Sequence, residues 1–114
     1  MQENKENIET FLCNAKCYIK NDCYVISPKD KNDNLMEDYI IKESERKQVL
    51  LQLTVNDLIK FEKNNHPNYK GYVYVFKKKV QLLHRYLFEK TWVNLYIKFS
   101  SIIENFVIVI SFHE

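Results

Sequence analysis

The order of patterns along the chain predicts an α+β fold, with N-terminal helices packed on a C-terminal antiparallel β-sheet. Three observations lead there. Apolar residues recur at helical spacing in the first half. From Gly71 onward the runs are β-branched and aromatic. One glycine and two prolines, Pro28 and Pro67, punctuate 114 residues, so nothing resembles an interdomain linker. A single domain over 1–114 is expected, and 46% hydrophobic residues supply the apolar area for one core.

The first element is a helix starting near Asn4, because Ile8, Phe11, Leu12, Ala15 and Ile19 fall on one face. Cys13 and Cys17, on a neighbouring stripe, are expected as small apolar fillers. Tyr24 to Asn34 reads as extended or looping, since Ser27-Pro28-Lys29-Asp30 favours a turn and Lys31-Asn32-Asp33-Asn34 is strongly polar. A helical turn at Leu35–Tyr39 follows. The next helix runs over Ser44–Leu53, with Ser44 as cap, Glu45 at its positive end, and Val49, Leu50 and Leu53 facing the core. Thr54 with Asp57 has the spacing of a capping box and is expected to start another short helix through Lys60.

Three strands are expected at Tyr72–Phe76, Trp92–Phe99 and Asn105–Phe112, the last two joined through Ser100–Glu104 as an antiparallel pair. Val80 to Leu87 fits either a helical turn or a strand continuing into a longer hairpin.

Composition removes several classes of function. The apolar run Phe106–Phe112 is far shorter than the roughly 20 residues that span a bilayer, and Met1-Gln2-Glu3-Asn4-Lys5 opens polar and mixed in charge. Neither a membrane span nor a secretory signal is expected. Three cysteines bunched at 13, 17 and 23 make a poor disulfide framework and point to reduced thiols in a cytoplasmic setting. No second Cys/His pair follows at finger-like spacing, so no metal or other cofactor is expected.

The formal charge of +2 hides an asymmetry. Residues 1–57 carry 8 Lys/Arg against 11 Asp/Glu, whereas residues 58–99 carry 9 against 2. A block at +7 is the electrostatic footprint of a polyanion-binding face. A solvated basic surface, or a site for an acidic protein, fits the same charge.

Strand alternation puts Tyr96 and Lys98 on one face and Leu95, Ile97 and Phe99 on the other. If the last strand pairs antiparallel with this one, its end at His113 returns close to Tyr96. A phenol, an ammonium and an imidazole suit metal-free RNA cleavage. In that reaction the ribose 2′-OH attacks the adjacent phosphate, a base takes its proton, an acid protonates the leaving 5′-oxygen, and cations stabilise the intermediate. An ordinary surface Tyr–Lys pair and a frayed terminal His give the same spacing. His66, in a polar loop, and His84 are weaker candidates. Lys77, Lys78 and Lys79 read as a charged loop that, with Arg85, can hold phosphates while Tyr72 and Tyr74 stack bases.

Taken in order, Leu51-Gln52-Leu53-Thr54-Val55-Asn56-Asp57-Leu58, Tyr72-Val73-Tyr74-Val75-Phe76, Leu95-Tyr96-Ile97-Lys98-Phe99 and Val109-Ile110-Ser111-Phe112-His113 resemble the motifs of the motility quorum-sensing regulator (MqsR) toxins of bacterial toxin–antitoxin pairs. The resemblance implies a RelE-like fold and a metal-independent endoribonuclease that cleaves mRNA and is neutralised by a cognate antitoxin protein. It implies that Tyr96, Lys98 and His113 occupy the active-site surface, with Lys60 as a further basic residue just after a helix. His113 is then an acid/base candidate where other members carry Lys. Two features depart from the family: Lys77 to Thr91 is a longer, more apolar connection, and Phe61-Glu62-Lys63-Asn64 replaces a Gly-Pro segment. The insertion Val80–Phe88 supplies the alternative, a non-catalytic interaction protein on the same fold, such as a mobile-element or anti-defence inhibitor. Leu82, Leu83, Tyr86 and Leu87 would then dock a protein partner; burial in the core is the expected fate of those residues.

Overall fold

A computed structural model of the chain describes residues 5–63 and 71–114. The first helix, α1 (Lys5–Lys20), buries Ile8, Phe11, Leu12, Ala15 and Ile19, as their spacing requires. Cys13 and Cys17 are exposed instead of filling the core, because the buried stripe is narrow and they lie to its side. The helix ends on Asp22 at φ 63, where the Cys23 N–H donates to the Tyr18 carbonyl at 2.8 Å and the Asp22 N–H to that of Ile19 at 3.0 Å.

Strand β1 (Tyr24–Ile26) precedes α2 (Asp30–Asp38). The polar tetrad 31–34 is therefore helical, not looping: Asn32 and Leu35, one turn apart, are both buried, and tertiary contact overrides a composition that suits turns. Strand β2 (Tyr39–Ile40) leads to α3 (Glu43–Leu51). The cap of α3 is Lys42, whose N–H donates to Glu45 Oε1 at 3.0 Å, so Ser44 lies inside the first turn and is not the cap. Thr54 and Asp57 do pair, the Thr54 N–H reaching Asp57 Oδ2 at 2.8 Å, but they close only a single 3₁₀ turn. The chain then extends as β3 (Leu58–Lys63), because its backbone finds partners along the next strand.

Three long strands complete the sheet: β4 (Tyr72–His84), β5 (Lys90–Ser100) and β6 (Val107–His113). The open choice at 80–87 resolves as strand through His84 followed by a turn. The strand order is β1-β6-β5-β4-β2, with β3 also paired to β4. The β1–β6 pair is parallel, so this α+β protein has a mixed sheet that recruits two short strands from the N-terminal half. Glu104 and Asn105, both at positive φ, turn β5 into β6, with Ile103 and Phe106 exchanging backbone bonds at 3.0 and 3.1 Å. At the β4–β5 turn Phe88 holds φ 54 while 75% exposed.

The helices cover one sheet face. Phe76, Val93, Leu95, Ile97, Phe99, Val109 and Phe112 form that core with Phe11, Leu12, Leu35, Leu50 and Leu53. No helix among the described residues is long and apolar enough to cross a membrane.

Asn32 fastens α2 to β6. Its amide Nδ2 donates to the carbonyls of Ser27 at 2.8 Å and Ile110 at 3.1 Å, while Oδ1 accepts the buried Phe112 N–H at 2.8 Å. Replacing Asn32 with Ala leaves these main-chain groups unpaired, and buried unsatisfied groups cost about 1–3 kcal/mol each. Asn32→Ala is expected to lower unfolding stability by about 2–3 kcal/mol in urea denaturation, and a loss below about 0.5 kcal/mol contradicts that role. Phe88→Gly, which relieves a left-handed conformation, is expected to raise stability by about 1 kcal/mol in the same assay; no gain would show the turn to be unstrained.

Candidate functional site

The face of the sheet opposite the core is built in rows. Lys77, Tyr96 and His113 are direct neighbours across β4, β5 and β6, and Val75, Lys98 and Ser111 form the adjoining row. Strict alternation along β6 from Val107 and Val109 would send Ser111 and His113 into the core with them. Between Ile110 and Ser111 the register shifts, with Val109 opposite Phe99 and Ser111 opposite Lys98. This one-residue bulge at Ile110 turns Ser111 and His113 onto the outer face and leaves Phe112 in the core.

His113 is almost covered, at 9% exposure, and its ring stacks on Tyr96 with centroids 5.4 Å apart and planes 21° from parallel. Its Nδ1 lies 3.0 Å from the main-chain oxygen of Glu114. An oxygen acceptor there selects the tautomer with the proton on Nδ1, which leaves Nε2 to accept or, in the cation, to donate. The Glu114 side chain is bonded by the Tyr39 phenol, whose pKa is raised by burial first and then by the charges of Glu114 and Asp38. A phenol kept protonated remains a donor, so β2 holds the residue next to His113.

The start of α2 supplies the opposite wall. Lys29 Nζ donates to Ser111 Oγ at 2.7 Å, and Lys31 lies beside it. Burial pushes the Lys29 ammonium below the ordinary lysine value of 10.5, and the neighbouring charges of Lys98 and Lys31 push it further. The result is an open cavity of about 990 Å³ lined by Lys29, Asp30, Lys31, Lys77, Asn94, Tyr96, Lys98, Ser111, His113 and Glu114. Four lysines face two carboxylates, and a bound anion relieves their mutual repulsion.

Of the residues expected from sequence, the fold brings Tyr96, Lys98, His113 and Lys77 to this cavity. Lys79 lies on the same face, one row out, with its ammonium 5.5 Å from the Trp92 ring centroid. Lys60 is on β3, three residues beyond the 3₁₀ turn Val55–Asp57. It shares the row of Lys98 two strands away, about 10 Å across the sheet, and its ammonium lies 3.4 Å from Glu62. Lys78 points to the other face, 3.9 Å from Asp57, because mid-strand alternation divides a lysine run that is not a loop. Tyr74 also sits on the core side, stacked on Phe11 at 3.7 Å. The Arg85 guanidinium bonds the carbonyls of Met36, Glu37 and Tyr39 at 2.9, 3.1 and 3.3 Å, closing the end of α2 far from the cavity rows. His84 Nδ1 accepts the N–H groups of Tyr86 and Leu87 at 3.2 Å, a turn-forming role. His66 lies outside the described residues.

Lys29, Asp30, Lys31, Asn94, Ser111 and Glu114 are the cavity residues that the expected site did not include. Lys29 to Lys31 had as signal only a Lys-Asp-Lys triplet after a proline turn, common on any surface, whereas Asn94 shares the face of Tyr96 two residues along β5. Among the described residues no three His, Cys, Asp or Glu side chains are grouped to hold a metal ion. The chain matches no protein-family model, and no curated protein or solved structure matches it.

The Lys29 ammonium is expected to titrate below 10.5 in an NMR pH series, and Lys98→Met, by removing a like charge, is expected to move that titration upward. An unchanged Lys29 titration in the variant would place Lys98 out of electrostatic reach.

Proposed function

We propose that this protein is a metal-independent endoribonuclease toxin of the MqsR kind, on a RelE-like version of the α+β fold, cleaving mRNA in the cytoplasm until a cognate antitoxin covers the site. The observation that carries this reading is the His113–Tyr96 stack set among Lys29, Lys31, Lys77 and Lys98. An imidazole with a free Nε2 is the proton-transfer group most suited to neutral pH. The surrounding ammonium groups suit a phosphate gaining negative charge.

In this mechanism His113 Nε2 takes the proton of the ribose 2′-OH. The 2′-oxygen forms a bond to phosphorus as the bond to the 5′-oxygen breaks. Lys29, made more acidic by burial and then by its neighbours, gives the proton that the leaving oxygen needs, while Lys98 and the Tyr96 hydroxyl bind the phosphoryl oxygens. The products are a 2′,3′-cyclic phosphate and a free 5′-hydroxyl. A negatively charged antitoxin segment complements the same lysines, which makes occlusion of the cavity the simplest form of neutralisation.

The purified protein is expected to cut single-stranded RNA in EDTA, and His113→Ala and Lys98→Ala each to slow cutting by about 100-fold or more while the fold is retained. Intact RNA after incubation with well-folded wild type overturns the reading. One observation favours the non-catalytic alternative: Tyr86, Leu87 and Phe88 are 68, 62 and 75% exposed at the hairpin turn, whereas Leu82 is buried. That alternative requires wild type to leave RNA intact and to form a protein complex that Leu87→Ser with Phe88→Ser abolishes.

A further inference from the structure

The outer face that carries His113 continues past the cavity along the β4–β5 hairpin. Beyond Lys77 and Tyr96 the next pairs on this face are Lys79 with Asn94, then Gln81 with Trp92, then Leu83 with Lys90. Neither strand places a carboxylate on that face between Lys77 and Lys90, and an acidic group of α3, Glu45, shares a cavity with Lys79 and Trp92 at the edge of the hairpin. Trp92 is 60% exposed, a large apolar area for a soluble surface, and it lies flat enough to the Lys79 ammonium to hold it 5.5 Å from the ring centroid. An exposed aromatic ring with a cation against it, on strands that carry no carboxylate on this face, is a combination that single-stranded nucleic acids use: the ring stacks a base and the cation meets the neighbouring phosphate. Trp92 is four residues from Tyr96 on the same strand, so about 14 Å along β5 separates Trp92 from the row of Tyr96 and His113.

We propose that Trp92, with Lys79, is a stacking platform for an unpaired base of single-stranded RNA whose reactive phosphate lies against His113. The inference rests on the RNA reading above and adds a substrate requirement. The chain must be unpaired and long enough to reach both places, because a duplex offers no free base face to Trp92.

Trp92 is the sole tryptophan of the sequence, so intrinsic fluorescence reports on this position alone. The full chain is titrated with a 2′-O-methyl single-stranded oligonucleotide of about 10 nucleotides, which binds but cannot be cut. Saturable quenching of the tryptophan emission, weakened by salt, is expected, and the same sequence as a duplex should leave the emission unchanged. By anisotropy of a labelled oligonucleotide, Trp92→Ala is expected to weaken binding about 10-fold and Trp92→Phe by no more than about threefold. On cleavable RNA, Trp92→Ala should raise KM with kcat unchanged, and a dinucleotide substrate should not sense the substitution. Oligonucleotide binding without a change in emission, or unchanged affinity in Trp92→Ala, overturns the platform. Quenching without any cleavage by wild type keeps the platform and removes the nuclease reading. Cleavage with a KM indifferent to Trp92 does the reverse. Absence of oligonucleotide binding overturns both, and assigns the exposed face to a protein partner.

Discussion

The three hydrogen bonds of Asn32 at the Ile110 bulge are the constraint on which the cavity depends. Beyond Val109 the outer edge of β6 has lost its strand partner, because β1 pairs only as far as Ile26. A carbonyl and an N–H are then left facing a helix. A primary amide is the one side chain that carries both a donor and an acceptor in the geometry of a peptide group, so Asn32 stands in for the missing strand. The same contact fixes the start of α2, and hence Lys29 and Lys31, against Ser111 and His113. Without the bulge the imidazole would share the core face with Val107 and Val109; without the latch the lysines would have no reason to gather there.

Gathering them has a cost that the rest of the fold carries. Burial depresses the pKa of the Lys29 ammonium, and the nearby ammonium groups of Lys98 and Lys31 deepen the effect. Ser111 supplies a neutral oxygen at 2.7 Å, which satisfies one donor of Lys29 without cancelling its charge. Among the described residues the ion pairs that form, Lys47–Asp22, Lys60–Glu62 and Lys78–Asp57, lie elsewhere. Charge left unbalanced beside a stacked histidine is more usual of a binding site than of a structural network, in which opposite charges are brought together.

The long β4–β5 hairpin makes two functions of one strand pair. Its inner face contributes Phe76, Val80, Leu82, Val93, Leu95 and Ile97 to the core side, and its outer face presents Lys77, Lys79, Trp92, Asn94 and Tyr96. Period-two alternation achieves this without any extra element. Arg85, by bonding the carbonyls at the end of α2, secures the far end of the hairpin to the helix whose other end lines the cavity.

The sequence by itself determined the α+β class, the apolar stripe of α1 and the core face of β5, whereas the place of His113 beside Tyr96 needed the bulge at Ile110. The first three follow from a local period, 3.6 or 2, that burial of one face enforces. The extents of β3 and β4, the helix over Asp30–Asp38 and the parallel β1–β6 pair were not legible, since short or polar segments take the conformation their neighbours offer. Nor was the split of Lys77 from Lys78, or the inward fate of Tyr74, apparent before the strand register was known. Lys29 is the clearest case: 82 residues separate it from Ser111, and only the tertiary structure brings the two side chains within hydrogen-bond distance. A local period can tell which way a side chain points, but which distant group it meets depends on a bulge and a buried amide that pattern alone does not reveal.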